Sequence, residues 1–144
     1  TNTVLNPPES KRSYSSVYNN DAPGTGHARS MLDSSQAWSY SNTIGTGDQW
    51  MQIDLDVNKT ISGVVTQGRY NYSQYVTSYK VEHSSDGTNW SWVDNENVFT
   101  GNTDANTKIT NSFTTNVVAR YIRIYPETYV SYPSMRAGVV ETTN

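Results

Sequence analysis

The sequence contains no cysteine, which excludes both a disulfide framework and a thiolate metal site. It also lacks any apolar run near the roughly 18 residues that a membrane-spanning helix requires. Charged residues make up only 16% of the chain and the net charge is −3, so there is no broad basic field for a nucleic acid backbone. A chain of 144 residues can nevertheless bury a core without cross-links. We therefore expect one domain over residues 1–144 that neither spans a membrane nor binds nucleic acid.

The helix-forming residues Leu and Ala are scarce as well, whereas aromatic and turn-forming residues are abundant. The chain has 11 tyrosines and 4 tryptophans against 2 phenylalanines, and it is rich in Ser, Thr and Asn. Aromatic and β-branched residues favour strands, while Ser, Asn, Gly and Asp favour turns. The composition thus predicts an all-β chain with long polar loops.

Alternating apolar and polar residues mark the strands, most clearly at residues 50–57, where a period of two indicates a half-buried strand. The apolar face of this predicted strand carries Met51, Ile53, Leu55 and Val57. Asn58-Lys59 predicts a turn, and residues 85–88 predict a hairpin turn. The other predicted strands cover residues 13–17, 61–66, 77–84, 90–93, 108–114, 120–125 (ending at Pro126) and 135–141. About eight short strands without a helix pattern predict a β-sandwich.

Eight short motifs follow one another along nearly the whole chain: DSSQAW at residues 33–38, WMQIDL at 50–55, QGR at 67–69, YVTSYKV at 75–81, SSDGTNW at 84–90, FTGNTDANT at 99–107, ARYIRIYP at 119–126 and MRAGVVE at 135–141. Together they resemble the discoidin domain, also called the coagulation-factor C-type domain. The resemblance implies an all-β jelly-roll β-sandwich of about eight main strands, with ligands bound by loops at one end. Members bind galactose-type sugars, anionic phospholipid, collagen or other surface partners. Because the cysteine pair of vertebrate members is missing, the chain is more similar to the amoebal and invertebrate lectins and the bacterial galactose-binding modules.

No catalytic motif is present in the sequence. Of the two histidines, His83 falls in an alternating strand, where a structural role is expected. There is no Gly-x-Ser-x-Gly, no His-Glu-x-x-His and no phosphate-binding loop. Asp54 and Asp56 lie two apart on the polar face of a strand, where a solvated surface is a simpler interpretation than acid–base chemistry. We therefore expect a binding module and not an enzyme.

The resemblance also implies a structural calcium ion. In related galactose-binding modules an Asp-containing loop meets a C-terminal Glu and several carbonyl groups around calcium, which takes about six to eight oxygen ligands. Asp33 lies in such a polar loop before Trp38, and Glu141 ends the last predicted strand. The alternative is that Asp33 caps a turn, because Ser34 stands where the family usually has glycine. The expected ligands are Asp33, Ser35, Gln36, Val140 and Glu141.

The connection at residues 69–75 carries an arginine and three tyrosines in a polar setting. Sugar sites combine a flat aromatic face for the C–H side of a ring with planar polar groups for its hydroxyls. The family topology implies that the loops at residues 18–26, 41–48 and 127–134 lie nearby. We therefore expect a galactose-type glycan site with Tyr70 or Tyr72 stacked on the ring, although a salt-bridged framework role is the alternative for Arg69. The other expected site residues are Asn19, Asp21, His27, Arg69, Glu127 and Tyr129, with Asn20 and Tyr132 in the same loops.

The main alternative partner is anionic phospholipid, such as phosphatidylserine, or a protein ligand in cell adhesion. Phospholipid-binding relatives carry exposed Trp, Phe or Leu near basic residues, whereas the predicted loops here carry Tyr, Asn, Ser and Thr. Thr1 in place of a methionine indicates a processed or excised product, and the family implies a secreted, extracellular protein. Because single sugar sites are weak, the domain is expected to form a homo-oligomer or to belong to a longer chain.

Overall fold

Nine β-strands and two short 3₁₀ helices make up the secondary structure in the computed structural model, which describes residues 1–41 and 48–143. The strands are β1 (Asn2–Leu5), β2 (Arg12–Tyr14), β3 (Trp38–Ser39), β4 (Met51–Gln67), β5 (Tyr75–Ser84), β6 (Ser91–Trp92), β7 (Phe99–Thr100), β8 (Ile109–Val130) and β9 (Ser134–Thr142). The 3₁₀ helices cover Glu9–Lys11 and Tyr18–Asn20. Over the described part of the chain, no helix is long and apolar enough to cross a membrane. The all-β prediction is confirmed.

The strands pair antiparallel in a sheet that curls into a jelly-roll β-sandwich. The order across it is β1-β9-β4-β8-β5-β6, while β2 joins β4, β3 joins β9 and β7 joins β5. The register between β4 and β8 shifts twice, between Asp54 and Lys59 and between Ile61 and Gly63. Bulges of this kind bend a strand and increase its twist. The two longest strands therefore bend, and their buried stretches are separated by exposed residues.

Apolar residues on facing strands fill the interior of the sandwich. Met51 lies directly opposite Ile124 in the β4–β8 pairing, and Ile53 lies opposite Ile122. All four are fully buried, together with the large ring of Trp38 from β3. Apolar cross-strand pairs of this kind stabilise a sheet and set its register.

The alternation in β4 holds for its first three apolar residues, which are buried, and then breaks at Val57, which is 59% exposed. Asp56 adopts a left-handed backbone with a φ of 72°, and the pairing of β4 with β8 resumes only at Lys59. The predicted turn at Asn58-Lys59 is instead a bulge within one strand. The prediction that Val57 lies on the buried face is therefore wrong, because the bulge ends the period of two.

This bulge leads to a pair of mutations with different expected effects. Leu55→Ala should lower the free energy of unfolding by about 2–5 kcal/mol, because Leu55 is buried and its removal leaves a cavity. Val57→Ala should change it by about 0.5 kcal/mol or less, because the side chain is in solvent. Urea unfolding followed by circular dichroism measures both, and equal losses would contradict the bulge.

Strand β8 is longer than its sequence pattern indicates. It joins the strands predicted at residues 108–114 and 120–125 and continues past Pro126 to Val130. Pro126 pairs with Tyr79 where the register with β5 shifts, and a bulge accommodates a residue that has no backbone N–H. The extension carries Val130 to the start of β5, where it pairs with Tyr75. Residues 127–130 thus lie at the same end of the sandwich as the connection between β4 and β5.

Two buried arginines tie the loops to the sandwich. The side chain of Arg12 donates to Pro7 O, Ser30 O, Ala137 O and Asn6 Oδ1. The side chain of Arg136, which is 0% exposed, donates to Gly68 O, Ser34 O, Ala105 O and Asn106 Oδ1. A buried charge needs such partners to offset its lost hydration. Each guanidinium therefore fixes several chain segments at once.

Candidate ligand-binding site

A small cleft opens at the end of the sandwich where three connections meet. These are residues 69–74 between β4 and β5, residues 131–133 between β8 and β9, and residues 18–27 after β2. The cleft has a volume of about 130 Å³, and it is lined by Tyr18, His27, Ser39, Arg69, Gln74 and Tyr132. The fold thus brings aromatic and polar side chains from distant parts of the sequence into one place.

The connection between β4 and β5 is held by its own backbone hydrogen bonds. The N–H of Arg69 donates to the carbonyl of Gln74 over 2.9 Å, and the N–H of Gln74 donates to the carbonyl of Tyr72 over 2.8 Å. At the tip, Asn71 adopts a left-handed φ of 59°, a conformation that Asn tolerates better than most residues. The loop is therefore shaped before any ligand binds.

The guanidinium of Arg69 is poorly satisfied within the protein. It lies 4.0 Å from the centre of the Tyr72 ring, and its Nη1 donates to Gln74 Oε1 over a long 3.3 Å. Its Nε is buried and has no hydrogen-bond partner among the residues that the structure describes. Arg120 differs, because it donates twice to the Asp54 carboxylate. The salt-bridged framework role is not seen for Arg69 among the described residues, and the guanidinium lines the cleft without a carboxylate partner there.

The amide of Gln74 offers a second donor at the cleft. Its Oε1 accepts from Arg69 Nη1 over 3.3 Å and from Ser134 Oγ over 3.1 Å. The Ser134 hydroxyl also lies 2.6 Å from the hydroxyl of Ser39. Because these contacts occupy the amide oxygen, the NH₂ group is the part of Gln74 that remains for a ligand.

His27 offers an acceptor on the other side of the cleft. Asp21 Oδ2 accepts the backbone N–H of His27 over 2.8 Å and lies 3.1 Å from Nδ1. These bonds, led by the backbone N–H, hold the pKa of Asp21 below its usual range. An ionised carboxylate can only accept, so Nδ1 donates to it, and Nε2 is an acceptor in the neutral form of the ring. Gly26 permits this approach, because a Cβ there would overlap the Asp21 carboxylate.

Tyrosine rings form the aromatic wall of the cleft. Tyr18 packs edge-on against Tyr132, with ring centres 5.3 Å apart, and against His27 at 4.9 Å. Burial raises the pKa of Tyr132. Behind this wall, Tyr129 packs against Tyr40, whose buried hydroxyl has no partner within residues 1–41 and 48–143 and whose pKa burial raises to about 12. The wall therefore consists of phenol rings that pack on one another and on His27.

Among the predicted site residues, His27 and Arg69 line the cleft. Asp21 and Asn19 lie behind His27, and Asn19 Nδ2 donates to Asp21 Oδ1 over 3.4 Å. Tyr132 was expected from its loop and also lines the cleft. The loop predicted at residues 41–48 lies largely outside the described residues, because these omit residues 42–47.

Four other predicted site residues do not line the cleft. Glu127 turns towards Lys80, with Oε1 3.6 Å from Nζ. Tyr129 packs on a buried ring instead of opening onto the cleft. Tyr70 and Tyr72 stand on the rim, where they are 43% and 52% exposed. These orientations follow from ion pairing and loop conformation, which the sequence alone does not reveal.

Two lining residues, Ser39 and Gln74, were missed from the sequence. Gln74 had a signal, since it lies in the tyrosine-rich connection and carries a planar amide suited to sugar hydroxyls. Ser39 had none, because it is one of many serines and reaches the cleft only through the pairing of β3 with β9.

A larger groove, of about 380 Å³, lies beside residues 4–8 and the bulge in β4. Its charged side chains are largely paired with one another. Lys11 Nζ is 2.6 Å from Asp56, and Asp54 accepts from Arg120. The groove thus offers fewer free polar groups than the cleft, which makes the cleft the better candidate for specific recognition.

The two carboxylates expected to hold calcium each have a lysine partner. Asp33 Oδ2 is 2.7 Å from Lys108 Nζ, and this contact lowers the pKa of Asp33. Glu141 Oε2 is 3.7 Å from Lys59 Nζ. The neighbouring Ser34 carbonyl accepts from a guanidinium, as described above. Protein cations therefore already occupy these oxygens.

The expected calcium ligands also do not converge. Asp33 bonds to Gln67, which pairs with Arg136 in β9, and Glu141 lies further along that strand, about 16 Å away at the usual rise per residue. Within residues 1–41 and 48–143, no group of three or more His, Asp or Glu could hold a metal ion. The expected ligands therefore do not fit the calcium ion that the resemblance implies. These ligands are Asp33, Ser35, Gln36, Val140 and Glu141.

We therefore expect calcium to leave the thermal stability of the protein unchanged. A site filled at 100 times its Kd would stabilise the fold by about 2.7 kcal/mol, which raises the melting temperature by several degrees. Melting curves in about 2 mM calcium and in chelator should differ by less than about 1 °C. A rise of several degrees that Asp33→Ala abolishes would overturn this expectation.

Comparison with known proteins places the chain among domains of one family. The F5/8 type C domain family matches residues 11–139. Lactadherin of Rattus norvegicus is 38% identical over 95 residues, which cover 62% of this chain and 22% of lactadherin. Discoidin-2 of Dictyostelium discoideum is 35% identical over 107 residues, which cover 74% of this chain and 41% of that protein. The chain thus spans less than half the length of either relative.

Solved structures agree with the fold. Wild-type discoidin II from Dictyostelium discoideum has a TM-score of 0.76 at 30% identity, covering 92% of this chain and 55% of that chain. The family 32 carbohydrate-binding module of NanJ from Clostridium perfringens has a TM-score of 0.73 at 18% identity, covering 98% and 100%, which shows the fold alone. With the family match extending over nearly all of the described strands, the chain belongs to the F5/8 type C domain family.

Proposed function

We propose that the cleft binds one ring of a galactose-type sugar on an extracellular glycan, without catalysis. The observation that carries the proposal is the combination of one acceptor, His27 Nε2, with donors from Arg69 and Gln74 in a cleft walled by tyrosines. A hydroxyl both donates and accepts, so groups of both kinds recognise it better than either alone.

The cleft matches the chemistry of two neighbouring sugar hydroxyls. One hydroxyl donates to His27 Nε2 and accepts from Arg69, while its neighbour accepts from the Gln74 amide. The ring faces of Tyr18 and Tyr132 provide apolar surface for the C–H side of the sugar. The cleft volume of about 130 Å³ lies well below the roughly 300 Å³ of pockets for drug-sized ligands. A single sugar ring suits this space.

The lining also argues against hydrolysis of the bound sugar. Glycosidases commonly use two carboxyl groups on either side of the glycosidic bond. No Asp or Glu of the described residues lines the cleft, and the adjacent Asp21 is committed to His27. The site therefore suits binding.

Two structural neighbours support a sugar as the ligand. The NanJ module was solved in complex with galactose. A second Clostridium perfringens module, from a family 89 protein, was solved with GalNAc-β-1,3-galactose. The family relationship to lactadherin and the discoidins supports an extracellular setting. Because one small site binds weakly, function requires several copies, either by self-association or within a longer chain.

Anionic phospholipid is the second candidate ligand, and one observation favours it. Five exposed apolar side chains gather at the loop end, and they are Tyr18, Tyr70, Tyr72, Tyr129 and Val130. Such a surface can enter a membrane interface. Against it, the net charge is −3 and all four lysines are paired with carboxylates, so attraction to an anionic surface is weak.

A glycan array and a vesicle assay separate the two ligands. We expect retention on galactose-terminated glycans that free galactose competes away and that added salt changes little. We expect no sedimentation with phosphatidylserine vesicles beyond that with neutral vesicles. Salt-sensitive sedimentation with phosphatidylserine vesicles, combined with no binding on the array, would replace the sugar proposal with the membrane one.

A further inference from the structure

Tyr72 is an exposed aromatic side chain that stands beside the cleft without lining it. Its ring is 52% exposed, yet it is held in place. The Arg69 guanidinium covers one ring face at 4.0 Å, and the backbone N–H of Tyr72 donates to the carbonyl of Arg69 over 3.2 Å. The opposite ring face is therefore the open one, and its position is fixed by two cleft residues, Arg69 and Gln74.

The size of the cleft determines where a longer ligand must go. A volume of about 130 Å³ admits one sugar ring, so a second ring linked to the first must lie outside, on the rim. Tyr72 lies on that rim, between two residues that line the cleft. An aromatic ring that is already ordered loses little conformational entropy when a ligand packs on it.

We propose that Tyr72 forms a second subsite, so that the ligand is an oligosaccharide of at least two rings. The terminal ring enters the cleft, and the next ring packs its C–H face on the open face of Tyr72. This inference rests on the proposed sugar function. It reassigns Tyr72 from the first ring, where the sequence placed it, to the second.

Tyr70 provides the comparison within the same loop. It is 43% exposed, but no ring or cation contact orders it within residues 1–41 and 48–143. A side chain that must be ordered on binding contributes less affinity than one that is already fixed. The subsite is therefore assigned to Tyr72 and not to Tyr70.

The test compares a one-ring and a two-ring ligand, methyl β-galactoside and lactose, by titration calorimetry. The wild-type protein should bind lactose about fivefold more tightly, as expected for one aromatic contact. Tyr72→Ala should remove this preference, so that lactose and methyl β-galactoside bind with affinities within about twofold of each other. Tyr72→Phe keeps the ring and should retain the preference, and Tyr70→Ala should retain it as well.

Several results would overturn the subsite. One is equal wild-type affinity for the two ligands, and another is loss of the preference in Tyr70→Ala but not in Tyr72→Ala. An equal fall in affinity for both ligands in Tyr72→Ala would assign Tyr72 to positioning Arg69 instead. If the wild-type protein binds neither ligand, the proposed function fails and the subsite with it, so the two failures are distinguishable.

Discussion

Replacing Arg136 with methionine should lower the free energy of unfolding by about 4 kcal/mol or more, because four buried or partly buried oxygens lose their donor at once. Each acceptor left without a partner in the interior costs about 1–3 kcal/mol. Methionine keeps much of the side-chain volume, so the loss reports hydrogen bonding more than packing. A domain with about 5–15 kcal/mol of total stability would be largely unfolded at moderately raised temperature.

The control for this variant is Arg29→Met. Arg29 is partly exposed, and its Nε donates to a single carbonyl, that of Gly26. We expect it to change the free energy of unfolding by about 1 kcal/mol or less. Urea unfolding monitored by tryptophan fluorescence measures both variants. A change within about 1 kcal/mol of the wild-type value for Arg136→Met would contradict the role given to this guanidinium.

Replacing Arg69 with alanine should weaken binding of a galactose-terminated glycan by about tenfold to 150-fold, because hydrogen bonds from a charged donor contribute about 1.5–3 kcal/mol. The fold should survive, since in the described part of the chain the Arg69 side chain makes one long hydrogen bond and a stack on Tyr72. Its melting temperature should therefore stay within about 2 °C of the wild-type value.

Lys59→Ala is the charge-matched control for Arg69→Ala. It removes one positive charge beside Glu141, near the chain termini, and does not touch the cleft. Calorimetry against the same glycan should give an affinity within about twofold of the wild-type value. If both variants weaken binding equally, general electrostatic attraction and not the cleft would explain recognition.

The strand pattern could be predicted where each side chain alternates between core and solvent. Residues 50–55 satisfy that condition, and their register was correct. The prediction failed at Val57, because Asp56 adopts a left-handed backbone and begins a bulge, and a bulge interrupts the alternation on which the prediction depends. It also failed at Pro126, which usually ends a strand but here sits at a bulge in β8.

The site could be predicted only in part, because side-chain chemistry is visible in a sequence but orientation is not. His27 and Arg69, predicted from the groups they carry, line the candidate cleft. Glu127, also predicted for the site, does not line the cleft, because it lies beside Lys80 on a neighbouring strand. The sequence placed Tyr72 in the cleft, because the stacking of its ring on the Arg69 guanidinium depends on the loop conformation and leaves no signal in the sequence.

The calcium ion implied by the family resemblance stays a prediction, and two ion pairs bear on it. Asp33 and Glu141 occupy the expected places in the sequence, but each carboxylate lies beside a lysine. Those contacts join residues 75 and 82 positions apart, a separation at which no sequence motif operates. Lysines that are distant in the sequence therefore influence whether such a carboxylate pairs with a protein ammonium group or binds a metal ion.

The most direct test of a sugar site in the cleft is a nuclear magnetic resonance titration of the isotope-labelled wild-type protein with galactose. We expect the side-chain signals of Arg69 Nε–H, the Gln74 amide and the His27 ring to shift together with one saturating curve. Signals from Val57 at the bulge should remain unchanged. No shift at the cleft with galactose, combined with shifts at Tyr70, Tyr129 and Val130 on adding phosphatidylserine bicelles, would contradict the sugar site.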